Sequence, residues 1–456
     1  MVQRNNEREG HLRRIQESGE NLWRRVDFKE EYFNIMQTTP EDTFAIPSFQ
    51  TNTSMVDIFL NIITPELLES IWTEDDPAKW YYGNTTHSRQ INRGVFSAKI
   101  VYQVIAVYIY LMGVQDTILD DYSGNNPLRE TIMKSLNNLG ELVENADLPG
   151  IQITATLISR FLIRREDYKV ICDNLKRCVT HPGRFLAGDE KLLHFTGDSA
   201  LIRQIITKPD KIGFWFYELS SKLPTGKIIL LYWRVHDGTV DSIPVHEIVT
   251  EWGEISRYYG NVGIRYQPVL IFDSYYMSSA SRRWLLDNNI PFIGAVQQSR
   301  LAPLMSNMFI HGVNVDKPGE TASIFNEETG ELFVHHWSFD ATIAKKWVLS
   351  NAFVRSTRTR QQANITPVWD WYKETFSGCD FFNKGFKTNA LQFRSGSGSK
   401  YGENGHIHKF AMCALVKNVV NIWEAVQNPE PEPKNFKSRC ISLATEIVEF
   451  AKTLPV

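Results

Sequence analysis

PVLIFDSYYMSSASRRWLLDNNIPFIGAV, residues 268–296, reads as strand, helix, strand. PVLIF (268–272) is a continuous apolar run of strand length, the pattern of a strand covered on both faces. Residues 278–288 predict a helix, and IPFIGAV (290–296) a second strand. Upstream lie three more β-rich runs, LLHF (192–195), IGFWFYEL (212–219) and KIILLYWRV (227–235), then a helix over 244–259. Three strands, a helix, a strand, a helix and a strand make an α/β order.

Outward from this core the pattern changes. Residues 1–55 are polar and mixed in charge, and read as a flexible N-terminal arm. Residues 56–180 read as a helical region. Thr64 caps a helix opening on Pro65 and Glu66, and Ser97 caps another whose Val101, Val104, Ile105 and Tyr108 fall at helical spacing, with Gly113 at its C-cap. Residues 73–95 read as a loop, and helical patterning resumes over 128–145 and 152–178. The core then divides into a first part, 181–297, a β-rich insertion, 298–365, and a second part, 366–427. A helix-like stretch surrounds 377–392, SGSGSKYGENG (395–405) reads as a loop, and a long helix covers 406–427. NPEPEP (428–433) is a linker to a last helix within 428–456.

Among 456 residues, 49 Lys/Arg stand against 52 Asp/Glu, a net charge of −3, which excludes a uniformly basic coat protein. At 43% hydrophobic and 22% charged the chain is globular. The five cysteines (172, 178, 379, 413, 440) form no C-x-x-C pair, which argues against a disulfide scaffold or zinc ribbon and for a reducing compartment. The N-terminus lacks an apolar h-region, and the longest apolar run, 100–114, falls short of the ~20 residues of a span, so a soluble intracellular protein is expected.

Three carboxylates stand out. Asp273 ends PVLIF, where α/β sheets place their sites, and it either caps the following turn or serves chemistry. Asp189, in DEKLLHF (189–195), is a turn residue or a strand-borne ligand, and Asp380, in SGCDFFNKGF (377–386), is a solvated helix residue or the third member. One carboxylate on the first strand, one after the fourth and one on a later helix is the order of an RNase H-like nuclease core. Three clustered carboxylates need cations between them to stay ionised, and two divalent ions ~3.5–4 Å apart can clamp a phosphodiester.

Several segments, in order, resemble the piggyBac transposase family over about residues 57–427. They are FLNIITPELLESIW (59–72), YIYLMGV (108–114), LDDY (119–122), RREDYKVICDNLKRC (164–178), DEKLLHF (189–195), ITKPDKIGFWFY (206–217), LIFDSYYMSSASRRWLLDNNIPFIGAV (270–296) and WYKETFSGCDFFNKGF (371–386). The spacings of 84 residues from Asp189 to Asp273 and 107 from there to Asp380 suit a family that inserts a β-rich domain before its third aspartate. The resemblance implies an α/β, RNase H-like catalytic core with an inserted β-rich domain, preceded by an all-α N-terminal region. It implies that Asp189, Asp273 and Asp380 bind Mg²⁺ or Mn²⁺, with Asn383 at the family's fourth acidic position. The metals would activate water to nick DNA at the element ends, and the freed 3′-hydroxyl would attack a phosphodiester, with flanking DNA resolved through a hairpin and TTAA favoured as target. Double-stranded DNA, a homodimer and the nucleus come with it.

Between Thr342 and Lys409, eleven Lys/Arg face four acids, a local balance of +7 that suits phosphate contact. Arg355, Arg358 and Arg360, alternating with Ser and Thr, suit an extended phosphate-contacting strand. Lys384 and Lys387 extend the basic strip, and Lys208 and Lys211 suit the same role beside the site. Trp369 and Trp371 either pack in the core or stack on bases. His335-His336 and His406-x-His408 lack metal-ligand context and read as surface or packing residues.

The sequence also departs from the family. Asn383 supplies an amide in place of an acid, basic residues after Asp189 are lost, and no Cys/His-rich segment follows residue 427. Three functions follow: an active metal-dependent transposase, a domesticated DNA-binding descendant with weak or no catalysis, or a protein that keeps only the fold. The three retained aspartates favour the first. No G-x-G-x-x-G follows a strand, SGSGSKYG lacks Walker A spacing, and there is no nucleophile elbow.

Overall fold

The computed structural model describes residues 23–25, 32–33, 45–68, 81–82, 89–90, 98–114, 167–195, 199, 201–204, 212–236, 244–262, 267–296, 304, 307, 315–326, 328–337, 345–352, 355–356, 367–384, 398–427 and 436–454. In chain order the principal elements are β1 (Trp23–Arg25), α1 (Met55–Ile62), α2 (Ala98–Val114), α3 (Tyr168–Arg177), β2 (Phe185–His194), β3 (Ile212–Lys222) and β4 (Ile228–Val235). There follow α4 (Val245–Asn261), β5 (Val269–Phe272), α5 (Ser279–Asp287), β6 (Phe292–Ala295), β7 (Thr321–Asn326), β8 (Glu331–Trp337) and β9 (Lys345–Ser350). The last are α6 (Pro367–Thr375), α7 (Gly378–Asn383), α8 (Gly398–Gln427) and α9 (Phe436–Thr453).

The strand–helix–strand expected around 268–296 is present as β5, α5 and β6, and the mixed α/β class holds. One large sheet runs β1-β7-β8-β9-β6-β5-β2-β3-β4, with the short strand Ile202–Gln204 pairing along β3. Its centre is parallel, β5 pairing with both β6 and β2, and the flanks are antiparallel. The run VLIF is apolar throughout because both of its faces are covered. Leu270 and Phe272 join the larger core, while Val269 and Ile271 join a second cluster with Ile293, Val334, Trp369 and Trp371. Strands β7 to β9 continue the same sheet, because β9 pairs antiparallel with β6. At the far edge β1 pairs with β7, and Arg355–Ser356 pairs with Tyr32–Phe33.

Helix α1 starts on a capping box: Ser54 and Asp57 bond each other's backbone N–H groups. Thr64 accepts the Leu67 N–H at 3.2 Å, as a cap should. Gly113 lies within α2, not at its C-cap. A Cβ there would stand 2.8 Å from the Lys437 carbonyl oxygen of α9, so the glycine lets the two helices touch. Between α1 and α2, Tyr81–Tyr82 pairs with Arg89–Gln90 inside the span read as a loop. The helical patterning over 128–145 and 152–166 lies outside the described residues. Helix α8 begins at Gly398, so most of SGSGSKYGENG is helical; its Gly-rich first turns precede a body, Ile407 to Ile422, that is almost wholly buried. Tertiary burial of that body outweighs the ~1 kcal/mol cost of each glycine.

The fit of α8 on the sheet rests on a buried amide. The β3–β4 pairing slips between Leu230 and Tyr232, which leaves a bulge. Asn418 of α8 fills the gap: its Oδ1 accepts the Leu230 N–H and its Nδ2 donates to the Leu230 carbonyl, both at 2.9 Å. Asn418→Ala strands both backbone groups and should lower stability by about 2–3 kcal/mol in urea unfolding. A loss below 0.5 kcal/mol would mean that the bulge does not need the amide.

His335, His336 and His408 are packing residues, all buried. His335 stacks on Trp347 and His336 on Trp369. His408 is buried edge-to-face against Tyr108, and burial lowers its pKa from 6.5 to about 3. A depressed pKa has a definite sign. The contribution is complete above pH 6.5 and is lost as pH falls towards 3, because the unfolded chain takes up a proton that the folded chain refuses. Between pH 6.5 and 4.5 this amounts to roughly 3 kcal/mol. His408→Leu should flatten that limb of the stability–pH curve, and an unchanged slope would sink the assignment. All five cysteines are buried and unbridged, as their spacing implied.

Candidate active site

Asp189 and Asp273 meet through strand register. The parallel β5–β2 ladder ends at Phe272↔Gly188; Asp273 follows directly on β5, and Asp189 is the next residue of β2, which runs on beside β3. Side chains alternate faces, so Asp189 lies with Ala187 on the face that α7 covers, and Asp273 lies with Ile271 on the face that α6 covers. Each carboxylate turns one oxygen to the backbone. Asp189 Oδ1 accepts the Glu190 N–H and Asp273 Oδ1 accepts the Tyr275 N–H, both at 2.8 Å. The turn after Asp273 is locked by Tyr276, whose hydroxyl donates to Glu190 Oε2 at 2.8 Å, and by Ser278, which caps α5. Burial, then the Glu190 charge, raise the Tyr276 pKa far above its usual value, which keeps this hydroxyl a donor.

Helix α7 brings Asp380 to the same region. Gly378 is the reason it can approach: a Cβ there would meet Ser220 Oγ at 2.7 Å and Ala187 Cβ at 3.1 Å. The neighbouring Cys379 is buried and donates to the Ala187 carbonyl at 3.2 Å. At the other end of α7, Lys417 of α8 donates to the carbonyls of Phe382 and Lys384, the latter at 3.4 Å, while lying over the Phe382 ring. A cation on the last carbonyls is the favourable end for a helix. Pinned so, α7 leaves Asp380 exposed.

The sequence reading missed Glu218. It is fully buried on β3, directly across from Asp189. Asn383 Nδ2 donates to its Oε2 at 2.6 Å, while Glu218 Oε1 and Asn383 Oδ1 are buried without hydrogen-bond partners. Burial chiefly, against Asn383, Lys191 and Lys417, raises the Glu218 pKa to about 8, with Asp380 adding to the rise. The carboxyl is therefore largely protonated near neutrality. The amide at 383 is thus engaged with an acid on the sheet through Nδ2, while its oxygen, the atom that could ligate a metal, has no hydrogen-bond partner.

Among the described residues no three His, Cys, Asp or Glu side chains come together as they stand in a group able to hold a metal ion. The donor set itself is of the right kind. Asp189, Asp273 and Asp380 offer only hard oxygens, which suit Mg²⁺ or Mn²⁺. Of the basic candidates, Lys384 is exposed just past α7 and Arg355 lies in the short strand paired with Tyr32–Phe33, with its side chain outside the described residues. Lys208, Lys211, Arg358, Arg360 and Lys387 also lie outside them. Trp369 and Trp371 are core residues, packed on His336 and Phe185.

These features define a class: a mixed α/β protein with two aspartates at adjoining positions where the parallel pairing of β5 with β2 ends. The fold is similar to that in the cryo-EM structure of a piggyBac transposase synaptic complex with hairpin DNA, with a TM-score of 0.57 over 89% of this chain and 83% of that one. The identity is 14%, so the likeness establishes the fold, which is the one the sequence motifs implied. No protein-family model and no curated protein matches the chain. No described helix is long and apolar enough to cross a membrane.

Proposed function

We propose that this protein is a piggyBac-like DDE transposase that cuts and joins DNA strands at Asp189, Asp273 and Asp380. One observation supports the reading: the last paired rung of β5 with β2 puts Asp273 and Asp189 at adjoining positions, and α7, which carries Asp380, packs on β2 through Cys379. The strand order β4-β3-β2-β5-β6, with β3 antiparallel to β2 and β5 parallel to it, supports the reading of an RNase H-like core. The three aspartates would hold a divalent cation, which when bound would polarise a phosphodiester and lower the pKa of an attacking water. The chain's own part is to position. Backbone amides orient the Asp189 and Asp273 carboxylates, Tyr276 fixes the turn, and Glu218, Asn383 and Lys417 fix the helix that carries Asp380.

The same reading supplies duplex DNA as partner, a homodimer and work in the nucleus. A second reading, a DNA-binding descendant without catalysis, is favoured by the engagement of Asn383 with Glu218 and by the lack of a closed group of three metal-holding side chains among the described residues. One experiment separates the two: incubation of the purified chain with supercoiled DNA carrying TTAA, in Mg²⁺ or Mn²⁺. Nicking supports the first reading. Binding that weakens with salt, without nicking, supports the second. Neither would sink both.

A further inference from the structure

Beside α7 the structure holds a cavity of about 620 Å³. This is the size of a site for one ligand of drug-like dimensions. Its walls are the start of β2, the end of β3, the β3–β4 turn, and helices α6, α7 and α8. Four cations line it, Arg184, Lys222, Lys227 and Lys417, against a single acid, Glu374. That excess stands out in a chain whose net charge is −3. Lys227 is paired with Glu424 and Lys417 is committed to the α7 carbonyls, so their charge fixes the walls. Lys222 and Arg184 lie at the end of β3 and the start of β2, the first exposed and the second 5% exposed.

The remaining walls are aromatic. Trp371 and Phe185 pack on each other with ring centroids 5.5 Å apart, and Phe382 lies under Lys417. Phe381 is 61% exposed, the most exposed large apolar side chain among the described residues. A large aromatic ring left in solvent beside a cationic cavity has a recognisable use. Flat bases stack on such rings, and the phosphate that accompanies a base needs the cations. A fatty chain would not need the positive charge, and a bare phosphate would not need the rings.

We propose that this cavity binds one unpaired nucleotide, its base against Phe381 and its phosphate toward Lys222 and Arg184. The choice of a nucleotide among aromatic anions rests on the DNA-handling reading above; the cavity itself is separate from the three aspartates. Helix α7 forms one wall of the cavity and carries Asp380, so a base seated there would brace the helix that presents the third carboxylate. The nucleotide can come from two sources, a free mononucleotide or an unpaired position in a DNA strand.

The test uses the full chain and 2-aminopurine, whose fluorescence falls on stacking. Three probes are titrated: 2-aminopurine nucleoside monophosphate, a short single strand carrying one 2-aminopurine, and the same strand with an abasic position in its place as competitor. Saturable quenching is expected, with affinity roughly tenfold or more weaker in Phe381→Ala. Lys222→Glu should weaken binding further, most at low salt. Both positions are exposed, so thermal unfolding should match the parent chain. Quenching by the monophosphate alone assigns the site to free nucleotides, and quenching by the strand assigns it to unpaired DNA. No quenching, quenching indifferent to both variants, or competition by the abasic strand as strong as by the intact one overturns the proposal. Asp273→Ala should keep the quenching. Cavity binding without nicking would thus fail the cleavage reading alone, and nicking without cavity binding would fail this one alone.

Discussion

Asp273→Ala should lower metal-dependent nicking of supercoiled DNA by on the order of 10²–10³-fold or more, the scale of losing one preorganised charge at a reacting centre. The substitution is a clean one. Asp273 stands one residue beyond the last paired rung of β5, and the hydrogen bond resolved for its carboxylate, from the Tyr275 N–H, belongs to its own turn. Removing that bond costs about 1 kcal/mol. The turn keeps the Tyr276–Glu190 bond and the Ser278 cap, so Tyr276 and α5 should stay in place. Duplex binding should persist, since phosphate contact depends on cations elsewhere. Asp189→Ala should reproduce the loss, because its carboxylate occupies the matching position on the adjoining strand. Nicking unchanged in both variants would remove the aspartates from the chemistry. Nicking lost together with duplex binding would place them in DNA contact.

Much of this site was legible because strand ends are legible. An apolar run that stops at an Asp fixes both the strand and the position of the side chain, and PVLIFD is such a run. Asp189 was readable as strand-borne, although β2 begins at Phe185, earlier than the LLHF run, because its first half alternates around Ala187 and Gly188 and carries little apolar signal. Asp380 was readable as a helix-borne carboxylate third in order, but not in its packing. Nothing in SGCDFFN says that α7 will lie against β2; the permission is the missing Cβ of Gly378, a fact about Ser220 and Ala187 far away in sequence. Glu218 was not legible at all. In IGFWFYEL both strand faces are apolar and Glu218 follows Phe214 and Phe216 on one of them, so no alternation marks it; its partner Asn383, on α7, is 165 residues away. The bond from Asn383 Nδ2 is equally invisible, because its partner lies 165 residues away and no pattern along the chain announces it.

Arg282→Ala should destabilise the protein by about 3–5 kcal/mol, the cost of leaving a buried carboxylate without its cation. Glu331 opens β8 with its side chain entirely excluded from solvent. Arg282, on α5, meets it with two parallel hydrogen bonds, Nε to Oε1 at 2.6 Å and a second from the guanidinium to Oε2. The fork raises the Arg282 pKa, the Glu331 hydrogen bonds outweighing desolvation. Arg282→Lys keeps the charge and loses the planar fork, and should fall between the two. Replacing both partners, Arg282→Met with Glu331→Leu, removes the stranded charge and should recover most of the loss. Urea unfolding of the parent chain, Arg282→Met, Glu331→Leu and the double variant gives the coupling directly. A single-variant loss under 1 kcal/mol, or a double variant no better than Arg282→Ala, would show that the pair contributes nothing beyond packing. The position gives the pair a consequence beyond stability. Helix α5 follows directly from the Asp273 turn, while β8 belongs to the strands that extend the sheet beyond β6. The ion pair is thus one link, beside the β6–β9 ladder, between that extension and the segment carrying the second aspartate, and loosening it should reduce nicking in Arg282→Ala at temperatures where the chain is still folded.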